Sequence, residues 1–166
     1  AKYPETVRML VLVGCGTFDP ASRDHCTAIR KKRISDYIKA HPEYRADLKL
    51  SLNDRIMKWH MMTDSYDAFP VPPGAIQFDP KGSTETWDDM MRCQAEGVYP
   101  QAFTAVKGPV LMLHGAHDPH PGAMTRDTLK RYIPHLEYRE FDKCGHDPWT
   151  ERQARELKGM AAREGV

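Results

Sequence analysis

The sequence predicts an α/β protein, three parallel strands with flanking helices and an inserted helical cap, and three observations carry that expectation. Residues 7–13, Val-Arg-Met-Leu-Val-Leu-Val, are rich in β-branched and apolar side chains and stop at Gly14-Cys15-Gly16. A second run, residues 109–113, ends in His114-Gly115, and a third, residues 136–141, ends just before Cys144-Gly145-His146. Near-continuous apolar runs suit strands covered on both faces, the condition of a parallel sheet. Between the second and third runs lies a helical pattern over residues 121–133, opened by Pro121 and closed before Pro134, which makes strand, helix, strand a crossover unit.

The first strand leads into about eighty residues, 20–105, too many for a simple crossover, so this interval is expected to carry structure of its own. Helices are expected over residues 21–32, 45–63 and 84–96, separated by the Phe69-Pro70-Val71-Pro72-Pro73-Gly74 breaker and by an Asp79-Pro80-Lys81-Gly82 turn. The resulting division assigns residues 1–19 and 106–166 to the core and residues 20–105 to the helical cap. A last helix is expected from Pro148 to about residue 163, covering the sheet with a stripe that includes Trp149, Ala154 and Leu157.

Composition narrows the partners. The chain has 166 residues, 40% of them hydrophobic, and 24 basic against 23 acidic side chains give a formal net charge of +1. No broad basic footprint is present, so neither nucleic acid nor an anionic membrane surface is expected as a partner. Four cysteines at 15, 26, 93 and 144 have no C-x-x-C spacing, which fits reduced thiols and a cytoplasmic location. The apolar stretch 9–13 is far shorter than a membrane span.

The chemistry concentrates at two loops. Asp118 follows the second strand in His114-Gly115-Ala116-His117-Asp118-Pro119-His120, and His146 follows the third in Cys144-Gly145-His146-Asp147-Pro148-Trp149. Ligands of parallel α/β sheets gather beyond the C-terminal ends of the strands, and adjacent strands would bring this carboxylate and imidazole within reach of each other. Such a pair supports general-base activation of a nucleophile, the carboxylate fixing the imidazole tautomer and stabilising the imidazolium that forms. Taken singly, Asp118 could be a helix cap and His146 a loop histidine; the acid-then-histidine order after consecutive strands favours catalysis. Asp19, past the first strand, is the alternative acid, with helix capping before Pro20 as its structural role.

These residues carry a resemblance. Pro109-Val110-Leu111-Met112-Leu113-His114-Gly115 leading into His117-Asp118-Pro119, followed by Cys144-Gly145-His146, resembles the last part of α/β-hydrolases. Residues 7–14 are similar to that family's sixth strand, 87–103 to the return from its cap, and the later strands to its seventh and eighth. The resemblance implies a partial α/β-hydrolase fold with Asp118 and His146 as catalytic acid and base. It implies a serine hydrolase acting on an ester, amide or related acyl bond, with a small-molecule acyl substrate.

The family's G-x-S-x-G elbow does not occur in this sequence, and Ser22, Ser35, Ser51, Ser65 and Ser83 lack the flanking glycines of that strained turn. The nucleophile is therefore expected upstream of this chain, and the isolated chain is expected to be inactive. An upstream aspartate nucleophile stays open, as does a non-catalytic ligand-binding or interaction protein on the same fold. Cys15, between two glycines, is the thiol substitute within the chain, with packing at the strand-to-cap junction as its plainer role. The histidines around Asp118 lack H-E-x-x-H spacing and read as loop histidines at the mouth of a site. Neither metal nor cofactor is expected. A long apolar strand over residues 7–13 would expose an open edge, so a partner is expected along it, either a missing N-terminal half or a second copy of the chain.

Overall fold

A computed structural model of the chain describes residues 3–43, 51–66 and 79–151, together with residue 159. Val110-Leu111-Met112-Leu113 has no polar side chain to offer solvent, and the segment accordingly takes the centre of the sheet, in strand β2, Val110–Gly115, all six residues of which are buried. Strand β1, Leu10–Val13, and strand β3, Glu137–Phe141, flank it in the order β1-β2-β3, both parallel to β2. The α/β class with three parallel strands and flanking helices is thus the observed architecture.

β1 is shorter than residues 7–13. Leu10 pairs with Val110, and the residue before Val110 is Pro109, whose carbonyl accepts from the Leu10 N–H at 3.0 Å but which has no N–H with which to extend the ladder. Alternate β1 residues pack on opposite faces of the sheet. Leu10 and Leu12 meet Val110, Met112, Leu129, Ile133 and Leu136 on one face, while Met9, Val11 and Val13 meet Leu111, Leu113, Phe141 and Cys144 on the other. Even so, β1 is only half-buried, and no strand pairs with its second edge among the described residues.

Helix α1, Pro20–Ala40, begins as Asp19-Pro20 dictates: the Asp19 carboxylate accepts from the Ser22 N–H at 2.9 Å and proline occupies the first helical position. It runs eight residues beyond the expected end at Lys32, because Arg33-Ile34-Ser35-Asp36-Tyr37-Ile38-Lys39-Ala40 contains no breaker before Pro42. Helix α2, Leu52–Asp64, is capped by Ser51, whose hydroxyl accepts from the Asp54 N–H at 3.1 Å. The earlier part of the expected 45–63 helix lies outside the described residues, as does the Phe69–Gly74 breaker.

Helix α3, Pro80–Ala95, starts four residues before the expected Thr84. Asp79-Pro80 suits a turn, yet an aspartate followed by proline is also a cap followed by a first helical residue, and Asp79 accepts from the Lys81 N–H at 3.1 Å. Arg23 of α1 donates to Gln94 of α3 at 2.8 Å, and Phe18 sets its ring on Phe103 at 5.3 Å, edge to face. Helix α4, Gly122–Lys130, joins β2 to β3 and ends in tight turns at Arg131 to Ile133. Pro148–Thr150 forms one 3₁₀ turn; the remainder of the expected last helix lies outside the described residues, apart from residue 159.

Leu129 on α4 is 1% exposed and sits in the larger apolar cluster. Leu129→Ala is expected to lower unfolding free energy by roughly 2–5 kcal/mol in urea titration, whereas Trp87→Ala, at a 53% exposed position of α3, should change it by about 0.5 kcal/mol or less.

Candidate functional site

The parallel register pairs Gly115 with Phe141, so β2 and β3 end level with each other and their loops meet. The Ala116 N–H donates to the Phe141 carbonyl at 2.9 Å and the His117 N–H to the Cys144 carbonyl at 2.8 Å. A Cβ on Gly115 would lie 2.2 Å from the Gly145 carbonyl oxygen and 2.3 Å from that of Cys144, so the approach of the histidine loop requires glycine there. Gly14, just past β1, has φ 57° and would drive a Cβ to 2.5 Å from the His146 carbonyl oxygen. The ends of all three strands thus converge on His146.

His146 Nδ1 lies 2.8 Å from Asp118 Oδ2. With Nδ1–H donating to the carboxylate, Nε2 is the acceptor nitrogen, on a side chain 25% exposed. The other carboxylate oxygen, Oδ1, accepts from His120 twice, from Nδ1 at 2.8 Å and from the backbone N–H at 2.9 Å. His114, buried on β2, donates Nε2–H to the His120 carbonyl at 2.9 Å and stands 3.3 Å from Asp118 Oδ2. Burial opposes the charge on Asp118, yet the hydrogen bonds and attraction of His120 and His146 hold it well below the usual carboxylate range. Burial likewise opposes charge on the His120 ring, but its hydrogen bonds to Asp118 and the Cys26 sulfur, with the attraction of Asp118, push it up to about 9.

Helices α1 and α2 hold both loops from the side. The Asp64 carbonyl at the end of α2 accepts from the His146 N–H at 2.8 Å. Arg33 of α1 donates to the carbonyls of Thr63 and His117, the second at 2.7 Å, and so ties the end of α2 to the acid loop. The Asp64 side chain, 1% exposed, takes both Arg30 Nε, at 2.9 Å, and Arg30 Nη2, with the Thr63 hydroxyl at 2.5 Å. Burial opposes its charge, and His60, Arg30 and Thr63 hold it well below the usual range. Glu151, fully buried, accepts from the Gly145 N–H at 3.0 and 3.1 Å and from the Tyr66 N–H at 3.3 Å.

Asp19, the alternative acid, sits at the N-cap of α1, where its carboxylate takes the Ser22 N–H at 2.9 Å, the Ser22 hydroxyl at 2.7 Å and the Thr128 hydroxyl at 3.5 Å. A cavity of about 470 Å³ beside it is lined by Phe18, Met124, Thr128 and Tyr132 among others, and by neither Asp118 nor His146. Ser22 and Ser51 serve helix caps, and Ser35 and Ser83 lie within α1 and α3. Burial and the nearby Asp118 charge push the Cys15 thiol up to about 11, opposite to the shift that activates a thiol nucleophile. Asp118, His120 and His146 each offer one ligand atom within 4.8 Å of the others. Both rings face separate carboxylate oxygens at hydrogen-bond length, a fork on Asp118.

No family model and no curated protein matches the chain. Among solved structures it is similar to VinJ, with a TM-score of 0.50 and 14% identity over 94% of this chain and 56% of that one. Over the matched part the chain shares the α/β fold of that structure. It is also similar to E-2-(acetamidomethylene)succinate hydrolase, with a TM-score of 0.48 and 18% identity over 99% of this chain and 60% of that. A third is MGS-M2, an alpha/beta hydrolase enzyme from a Medee basin deep-sea metagenome library, with a TM-score of 0.46 and 15% identity over 99% and 58%. The chain therefore spans less than two thirds of each of these proteins, and at such identities the likeness speaks for the fold alone.

Sequence reasoning read His120 only as a loop histidine at the mouth of a site and left Asp64, Glu151, Arg30 and Arg33 unassigned. Only His120 carried a local signal, its position two residues past Asp118, where a side chain can turn back onto an Asx-type carboxylate. The fork makes stability depend on pH on both sides. The depressed Asp118 value contributes stability that is complete above its ordinary 3.8 and is lost as pH falls below it. The raised His120 value contributes stability that is complete below the ordinary 6.5 and is lost as pH rises through about 9. Urea unfolding across pH should therefore show a decline over both windows. His120→Gln should flatten the alkaline decline and Asp118→Asn both; an unaltered alkaline slope in His120→Gln would contradict the assignment.

Proposed function

We propose that this chain supplies the acid and the histidine of an α/β-hydrolase serine hydrolase, acting on an ester, amide or related acyl bond of a small molecule. The observation that carries the reading is the 2.8 Å bond from His146 Nδ1 to the buried Asp118 Oδ2, beyond the C-terminal ends of neighbouring parallel strands. In this reading a serine hydroxyl from sequence preceding residue 1 attacks the acyl carbon while His146 Nε2 takes its proton. Asp118 holds the ring and stabilises the imidazolium, and the proton then passes from His146 to the leaving group. Residues 20–105 act as the cap over the acyl site, and residues 1–19 with 106–166 complete the core. The half-buried β1, paired on one edge by β2, takes the remaining strands of the sheet on its other edge.

The test uses the parent polypeptide encoded with its preceding residues, assayed on simple aryl esters. His146→Ala and Asp118→Asn are expected to lower kcat by about 10³–10⁴-fold, while Asp19→Asn, which alters only a helix cap, should keep kcat within about threefold of the parent value. The 166-residue chain alone should show no saturable turnover. Hydrolysis that survives His146→Ala, or that falls as far in Asp19→Asn as in Asp118→Asn, would contradict the reading, as would saturable turnover by the chain alone that Cys15→Ala abolishes.

A further inference from the structure

We propose that His120 is a positioning residue for the dyad: its two donors lock Asp118 Oδ1, leaving Oδ2 aimed at His146, and its protonation state is transmitted to the Asp118–His146 bond. The functional meaning of this rests on reading Asp118 and His146 as acid and base, although the geometry and its test do not.

An aspartate side chain can swing about two torsions, and a single hydrogen bond to an imidazole restrains it weakly. Here one residue supplies two donors to one oxygen, the His120 backbone N–H at 2.9 Å and Nδ1 at 2.8 Å, so Oδ1 is held twice while Oδ2 faces His146. His120 is itself anchored, since His114 Nε2–H donates to its carbonyl at 2.9 Å. The His120 and His146 rings stand 4.8 Å apart, centroid to centroid, inclined by 38°.

Two imidazoles that share one carboxylate do not take up protons independently. Protonated His120 draws negative charge toward Oδ1, and Oδ2 is then a poorer acceptor for His146. When His120 loses its proton, at about 9, its neutral Nδ1–H still donates, the lock stays in place, and more of the carboxylate charge falls to His146. The titratable and charged groups around the pair are few. His114 comes from β2, Tyr138 from β3 and Cys26 from α1, His117 adjoins Asp118, Cys15 lies past β1, and Arg30 and Arg33 on α1 also feel the Asp118 charge, with Asp64 of α2 paired to Arg30.

Proton NMR of the chain, with ¹⁵N-labelled histidine, tests this without any turnover, so its outcome is separate from whether a nucleophile exists. The His146 Nδ1–H resonance should lie far downfield and move further downfield through an inflection centred near pH 9, in step with the His120 ring. His120→Asn retains a side-chain N–H for Oδ1 and cannot be charged there, so the resonance should persist and the inflection vanish. His120→Leu removes the side-chain donor, and the resonance should broaden beyond detection, with His120→Asn as the rescue that a merely space-filling role would not produce. A His146 resonance with no inflection in the unaltered chain overturns the proposal even if neither variant folds. So does one that survives His120→Leu, or one whose inflection persists in His120→Asn.

Discussion

Burial of the Asp118 carboxylate, whose side chain has no exposed surface, imposes a demand that the surrounding structure must meet. An ionised group removed from water is strongly destabilising unless donors replace the lost hydration. The donors here are imidazole and backbone N–H groups, His146 on one oxygen and His120 on the other. The charge that needs neutralising is thereby what orients His146. Remove the burial and the carboxylate would be solvated and the ring free to turn; remove the histidines and the carboxylate would be left uncompensated inside the fold.

That pairing depends in turn on two loops being brought together without slack. The parallel ladder sets β2 and β3 level, and glycine at 115 lets the backbone of the histidine loop rest on the end of β2. α1 and α2 then fasten the assembly through groups that never touch Asp118, the Asp64 carbonyl on the His146 N–H and Arg33 across Thr63 and His117, and Glu151, past the Pro148–Thr150 turn, takes the Gly145 N–H. Asp64 is a second buried carboxylate, and its bidentate Arg30 partner keeps the end of α2 in place. The segment inserted between β1 and β2 thus has a structural hold on the site.

How much of this was legible in the sequence follows from which interactions are local. β2 was readable because four consecutive apolar residues leave no solvent face, and Asp118 and His146 because each follows a strand directly. Asp19 was readable as a cap because aspartate and proline act within one turn, and the same logic applied at Asp79 would have placed the start of α3 correctly. By contrast, Asp64 with Arg30 is separated by 34 residues, Arg33 with His117 by 84, and Tyr66 with Glu151 by 85. No periodicity or motif ties such partners together, and a buried Glu151 looks in sequence like any solvated glutamate. The truncation of β1 was hidden for the same reason, since it is set by Pro109, the residue before β2.

The most direct test of the account is a crystal structure of the parent polypeptide after reaction with a fluorophosphonate. The serine oxygen, phosphonylated with loss of fluoride, is expected about 3 Å from His146 Nε2, with Asp118 Oδ2 still bonded to His146 Nδ1 and Oδ1 to His120. An adduct on a residue remote from His146, or an Asp118 carboxylate turned away from His146 in that complex, would contradict it.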